Sequence, residues 1–314
     1  MDGSGLTRIS LIPNYGDIDL STEFLSRLKQ PGTVVADGAM GTMLLERGLK
    51  PGDCPERMNL EQAGVLEEIA GLYLAAGAEV VQTNTFGGSP LKLARYGLEA
   101  RADEINRRGG AAARNAAGGR AWVAASVGPC GKLLLPYGDT PEEAVYESFR
   151  IQISALIAEG ADMVAIETMT DLAEAVLAVR AARSASTSVP ISASMTFDST
   201  PRGYYTIMGA TIGQAAKGLA EAGADMVGSN CGNGSAAMTA IAREFMKQAT
   251  VPVIIRSNAG LPELRGGRPA YPETPEHMAG AVKELAGLGV KLIGGCCGTT
   301  PSHIAAFRRA LAEG

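Results

Sequence analysis

The chain has no surplus of positive charge, no apolar run long enough to span a bilayer, and only two histidines among 314 residues. Its 28 Lys and Arg against 33 Asp and Glu leave a net charge of −5. That gives no electrostatic reason to expect nucleic acid or an anionic membrane as partner. The lack of a long apolar run argues against a membrane-spanning helix. Residues Met1 to Leu20 contain no apolar h-region, so no secretory signal is expected and the cytoplasm is the expected location. Five cysteines is an odd number, and their spacing fits no disulfide framework. In a reducing compartment they read as reactive or metal-bound thiols. No Gly-x-Gly-x-x-Gly follows the first candidate strand and no Walker loop occurs, which removes the common dinucleotide and P-loop signatures. No Ser- or Pro-rich linker divides the chain. One domain is therefore expected over residues 21–314, after an N-terminal extension of residues 1–20. The length and the 46% hydrophobic content suit one large α/β core.

What is present is a recurring turn. Ala76-Gly77-Ala78-Glu79-Val80-Val81 returns as Glu159-Gly160-Ala161-Asp162-Met163-Val164, as Ala222-Gly223-Ala224-Asp225-Met226-Val227, and as Leu288-Gly289-Val290-Lys291-Leu292-Ile293. A helix that stops at Gly and leads at once into a short apolar run is the αβ turn of a parallel α/β fold. The last three copies lie 63 and 66 residues apart, room for two βα units each. The strands expected are Thr33–Asp37, Glu79–Thr83, Trp122–Val127, Asp162–Glu167, Ile191–Met195, Asp225–Ser229, Pro252–Arg256 and Val290–Gly294. Thr140-Pro141-Glu142-Glu143 reads as a capping box, and Thr274-Pro275 and Thr300-Pro301 as two more helix starts. Eight strands alternating with helices predict a (β/α)8 TIM barrel, with an open doubly wound sheet as the alternative.

Barrel enzymes draw their catalytic residues from the C-terminal ends of the strands. Here those ends carry Asp37, Asn84 and Thr85, Ser126, Glu167, Asn230 and Cys231, Ser257 and Asn258, and Cys296 and Cys297. Cys231, Cys296 and Cys297 are candidate ligands of one zinc ion, since zinc favours thiolate sulfur and a catalytic site keeps one position open. Neighbouring residues of a regular strand point to opposite faces, so Cys296 and Cys297 share an ion only where the chain leaves strand geometry. Gly294, Gly295 and Gly298 supply that freedom. The alternative is packing, because free cysteine is among the most buried residue types. Cys54 and Cys130 have no comparable setting and read as structural.

Three thiolates on Zn²⁺ leave a net charge of −1. A fourth thiol would lose its proton on binding and bring it to −2. Such an ion is a poor Lewis acid but keeps a thiolate nucleophilic, so the expected chemistry is alkyl transfer to sulfur. Asp37 and Glu167 are candidates for the ammonium group of an amino-acid substrate, with helix caps or salt bridges as the alternative. His277 and His303 sit in first helical turns and read as solvated or as local caps. A metal-free enzyme with one nucleophilic Cys would need a base, and no His stands at a strand end.

Asp37-Gly38-Ala39-Met40-Gly41-Thr42, Thr83-Asn84-Thr85-Phe86, Ser126-Val127-Gly128-Pro129, Glu167-Thr168, Asn230-Cys231-Gly232 and Gly294-Gly295-Cys296-Cys297-Gly298-Thr299-Thr300-Pro301 resemble the homocysteine S-methyltransferase family. The resemblance runs in order from about Leu25 to Ala310. It implies a (β/α)8 barrel, zinc on the three cysteines, and homocysteine bound through sulfur. It also implies that Asp37 and Glu167 contact the amino acid, and it brings Asn84, Thr85, Ser126 and Asn230 forward as further substrate-binding candidates. Within the family the wording is similar to the homocysteine-binding modules of cobalamin-dependent methionine synthases. That branch implies methylcobalamin on a corrinoid protein as methyl donor. The chain as written holds no second barrel for folate and no cobalamin module, so it is expected to be a stand-alone subunit or an excised module. Ser229 and Gly232-Asn233-Gly234 depart from the usual residues of the branch. The alternatives are a small donor (S-methylmethionine, S-adenosylmethionine or betaine) and a non-catalytic zinc- or thiol-binding subunit. A homo-oligomer is compatible with each reading.

Overall fold

A computed structural model describes residues 20–265 and 268–313. The expected extension falls outside them except for Leu20, which opens a helix over Leu20–Lys29. Twelve strands occur in chain order among the described residues. They are β1 (Val34–Val35), β2 (Val80–Gln82), β3 (Trp122–Val127), β4 (Met163–Met169), β5 (Ile191–Met195), β6 (Asp198–Thr200), β7 (Gly203–Tyr205), β8 (Met226–Asn230), β9 (Val253–Ser257), β10 (Glu263–Arg265), β11 (Arg268–Ala270) and β12 (Leu292–Gly295). Eight of them form one parallel sheet in the order β1-β12-β9-β8-β5-β4-β3-β2. A bridge from Ala36 to Val80 joins its two edges, so the sheet closes on itself. With helices between successive strands, this is the expected (β/α)8 barrel. The pairs β6–β7 and β10–β11 are antiparallel hairpins that the sequence pattern does not announce. Both are inserted in loops on the C-terminal face. No helix of the described residues is long and apolar enough to cross a membrane.

The glycine repeat does what its chemistry suggests. Gly77, Gly160, Gly223 and Gly289 all have positive φ, between 79° and 110°. Each ends a helix in the left-handed region, where a Cβ would clash, and turns the chain into the next strand. Two of the three expected Thr-Pro starts behave as caps. Thr274 accepts from the His277 amide, and Thr300 forms a reciprocal box with His303. Thr140 does not cap. It is held in a bridge to Leu134, so the helix begins at Glu142 with Pro141 as its N-cap residue.

The two-residue period of a strand sorts the side chains into layers. Val81, Val123, Val164, Val227, Ile255 and Ile293 face the helices in the main core. Val34, Ala36, Val80, Ala124, Met163, Met226, Ile254 and Leu292 point into the barrel. The Leu20–Lys29 helix plugs its lower end with Phe24, whose ring meets Trp122 edge-on at 5.2 Å. Burying Phe24 completely is worth about 2–3 kcal/mol. Two to four residues further along the same inward rows the chemistry changes. Gln82, Ser126, Glu167, Asn230 and Arg256 are all buried there, forming a polar layer on the apolar plug. This layer is the floor of the site.

Candidate metal and substrate site

The three expected thiols converge. Cys231, Cys296 and Cys297 offer sulfur atoms that all lie within 4.8 Å of one another, and Cys231 Sγ is 3.8 Å from Cys297 Sγ. Sulfurs bound at about 2.3 Å around a tetrahedral zinc stand ~3.8 Å apart, so the donor set and its spacing fit that ion. β12 stops at Gly295, which places both adjacent cysteines in a turn beyond the strand, as the glycines around them suggested. Thr299 clamps the turn. Its hydroxyl donates to the Cys296 carbonyl at 2.7 Å and accepts from the Ala39 amide at 3.1 Å. The Gly298 amide donates to Thr42 Oγ1 at 3.0 Å.

Cys231 is held differently. It has φ of 61°, in the left-handed region that a side chain rarely adopts, and Thr168 has the same value. Such strain persists where the surroundings over-determine it. Asn230 is the residue that ties the two together. Its Oδ1 accepts from the Thr168 amide and from Ser194 Oγ, both at 2.7 Å. Its Nδ2 donates to Thr168 Oγ1 at 2.7 Å and points at Cys296 Sγ at 3.8 Å. Contacts with Cys296 and Cys297 hold the Cys231 thiol well below the usual range. The same cluster of contacts pushes Cys296 up, and the contact with Cys231 and burial push Cys297 up. Three thiols this close favour loss of a proton from one of them, and a cation bound among them would displace the other protons.

Beside the sulfurs lies a cavity of about 250 Å³. Glu167, Ser126, Arg256, Thr168, Phe86 and Met40 are among its walls. Glu167 accepts from Ser126 Oγ at 2.5 Å and Gln82 Nε2 at 2.9 Å. Asp37 sits behind this wall. It accepts from Arg256 Nη2 and from the Gln82 amide, each at 2.7 Å. Burial raises the Asp37 carboxyl to about 6, with Arg256 pulling it down and Glu167 pushing it up. Asp37, Glu167 and Arg256 together leave one excess negative charge under the cavity.

The other expected contacts divide. Ser126 and Asn84 border the cavity, but the Asn84 amide is spent on the Pro55 carbonyl and on Asn59, each at 2.8 Å. Thr85 is fully buried away from it and donates to the Ser126 carbonyl, while Thr83 lines the wall. Asn230 supports the thiols from behind. His303 is buried, takes the Thr300 amide at 3.1 Å and reaches the Glu273 carbonyl, so it is a cap and not a solvated residue. His277 is exposed. Burial and Glu56 push Cys54 up to about 11, and burial with Glu174 pushes Cys130 up to about 12, which keeps both as inert packed thiols.

Gln82, Arg256 and Glu56 are site residues that the sequence analysis does not single out. Arg256 closes an apolar run, and its charge there was the available signal. Glu56 is buried on the cavity wall and accepts from the Gly87 amide at 2.6 Å. No motif marked it.

Fold and site define a (β/α)8-barrel protein with a three-thiol centre at the C-terminal face and a small acid-rich cavity beside it. A model of the family described as homocysteine S-methyltransferase matches residues 34–311, and the chain belongs to that family. Methionine synthase of Mycobacterium leprae (strain TN) is 35% identical over 309 residues, covering 93% of this chain and 25% of that protein. Methionine synthase of Mycobacterium tuberculosis (strain ATCC 25618 / H37Rv) is 34% identical over 309 residues, covering 93% and 26%. The chain thus spans about a quarter of the length of these curated relatives. The metallated form of the Escherichia coli homocysteine methyltransferase MmuM superposes with a TM-score of 0.75 at 25% identity. That match covers 90% of this chain and 98% of the solved one.

Proposed function

We propose that the chain is a zinc-dependent S-methyltransferase that transfers a methyl group to homocysteine and forms methionine. The donor in this reading is methylcobalamin carried by a separate corrinoid protein or module. The observation that carries the proposal is the meeting of three thiols, at zinc-ligand spacing, beside a cavity sized for one amino acid.

Cys231, Cys296 and Cys297 would hold the ion. When bound, zinc keeps the substrate sulfur as a thiolate at neutral pH, where a free thiol of pKa about 8.5 is mostly protonated. The chain does the rest. Glu167 faces the cavity and takes the substrate ammonium. Asp37 adds its charge from behind Arg256, and the excess negative charge of the three groups matches the ammonium. Ser126 and Gln82 fix the Glu167 carboxylate by hydrogen bonds, so no reorientation is needed when substrate arrives. Asn230 holds the Cys231 and Thr168 turns, which keeps the sulfurs and the ammonium site at a fixed separation.

A second reading, a small methylated donor such as S-methylmethionine or betaine, draws on one observation. A solved homocysteine methyltransferase is matched over 98% of its own length, and so as a single barrel. Zinc-loaded protein incubated with homocysteine and free methylcobalamin tests the first reading. Methionine formed from methylcobalamin supports it. Methionine formed only from S-methylmethionine or betaine replaces it with the second.

A further inference from the structure

Two polar atoms on the cavity wall are left unspent, one of each sign. Glu167 commits Oε1 to Ser126 Oγ and Gln82 Nε2 and leaves Oε2 without a hydrogen bond among the described residues. Arg256 commits Nε to the Gly295 carbonyl at 3.0 Å, and Nη2 to the main-chain carbonyl of Asp37 at 3.2 Å and its Oδ1 at 2.7 Å. Its Nη1 makes no hydrogen bond among the described residues and stands 3.9 Å from Glu167 Oε2. Both residues border the cavity, yet the Arg256 side chain is only 8% exposed. A guanidinium carries its N–H donors in a fixed fork, and donors left idle at a buried site are unfavourable. The bonds from Nε and Nη2 lock the group in place, so the idle end of the fork is already oriented before a ligand arrives.

We infer that Arg256 Nη1 receives the α-carboxylate of the methyl acceptor, and that Arg256 is the residue that restricts the acceptor to α-amino acids. The inference rests on the homocysteine reading given above. In an α-amino acid the nitrogen and the carboxylate oxygens stand roughly 3 Å apart by standard bond lengths. An acceptor and a donor 3.9 Å apart complement that head group. Glu167 Oε2 takes the ammonium and Arg256 Nη1 the carboxylate. Charge leads to the same residue. Glu56 and the three cysteines also wall the cavity, and among the described residues Arg256 is its one Lys, Arg or His. A carboxylate brought in among those groups without a cation beside it is strongly disfavoured. Asp37 thereby gains a second task. It holds the far end of the guanidinium through its carboxylate and its carbonyl, so it aims Arg256 as well as charging the site.

Three ligands test this by calorimetric titration into the zinc-loaded protein. Homocysteine carries both head groups, aminopropanethiol lacks the carboxylate, and mercaptobutanoate lacks the ammonium. Arg256→Lys keeps the buried charge beside Asp37 but loses the fork, and Arg256→Gln removes the charge. Circular dichroism and metal analysis check that each variant stays folded and loaded. Homocysteine and mercaptobutanoate should bind Arg256→Lys about tenfold or more weakly, as expected for one hydrogen bond between charged groups. They should bind Arg256→Gln about 30-fold or more weakly. Aminopropanethiol should bind both variants no more weakly than the wild type. Equal losses for all three ligands would make Arg256 a structural counter-ion of the two carboxylates and overturn the inference. Unchanged homocysteine binding to Arg256→Lys would also overturn it, because the fork then makes no contact. A wild type that binds aminopropanethiol as tightly as homocysteine overturns it with no substitution at all. In each of these cases the homocysteine reading stands. A zinc-loaded wild type that binds none of the three sinks that reading, and the role of Arg256 with it.

Discussion

Replacing Asn230 by Ala should loosen the metal site without touching a ligand. The side chain is 1% exposed and makes three hydrogen bonds at 2.7 Å, besides its approach to Cys296 Sγ. The truncation leaves the Thr168 amide without its acceptor at a backbone of positive φ, and a stranded buried donor costs about 1–3 kcal/mol. Loss of the Ser194 and Thr168 hydroxyl partners adds about 1 kcal/mol, for a total of roughly 2–4 kcal/mol. At ~2 °C per kcal/mol for a chain of this size, the melting temperature should fall on the order of 5 °C. Groups that orient metal ligands typically carry about 10–100-fold in affinity, and zinc binding should weaken within that range. A chelator-competition titration and a melt of the same sample measure both effects. An unchanged zinc affinity, with the melting temperature lowered as calculated, would refute the positioning role and leave Asn230 as packing alone.

Asp37 predicts a pH dependence. Its carboxyl titrates at about 6, above the usual aspartate value, so it is ionised at pH 7 and neutral below about 6. Protonation removes the excess negative charge, so the KM for homocysteine should rise as pH falls through about 6, and Asp37→Asn should start high and lose that transition. Glu167→Gln keeps the shape and removes the charge facing the ammonium. It should raise KM about 30-fold or more, as expected when one partner of a buried charge pair is lost, with zinc content unchanged. Gly298→Ala should disturb the thiol turn, since Gly298 has φ of 80° and an added Cβ would run into the Tyr271 ring. Reduced zinc content in a folded protein, by circular dichroism and metal analysis, is the expected outcome.

The barrel was legible because its punctuation is physical. A glycine with positive φ followed by an apolar run has few other uses, and all four copies mark helix-to-strand turns. Hairpins β6–β7 and β10–β11 were not legible. The first is short and exposed or half-buried, so it lacks the apolar signal that marks buried strands. The thiols were legible because two adjacent cysteines among glycines have few structural uses. Side chains beyond the strand ends were harder. Strand period predicts direction only while strand geometry lasts, and at Thr168 and Cys231 the backbone turns left-handed. Of the Asn84-Thr85 pair, Asn84 lines the cavity and Thr85 lies behind it, with Thr83 on the wall. Arg256 was within reach. It stands two residues after Ile254 on the inward row, as Gln82 does after Val80 and Glu167 after Ala165. The change from apolar to polar along those rows marks the floor of the site in the amino-acid sequence itself.

The most direct test of the account is zinc X-ray absorption on the purified chain with and without homocysteine. The account predicts about one zinc per chain with three sulfur neighbours and one lighter atom, changing to four sulfurs when homocysteine binds. A zinc shell that keeps three sulfurs in saturating homocysteine, or no zinc bound after reconstitution under reducing conditions, would contradict it.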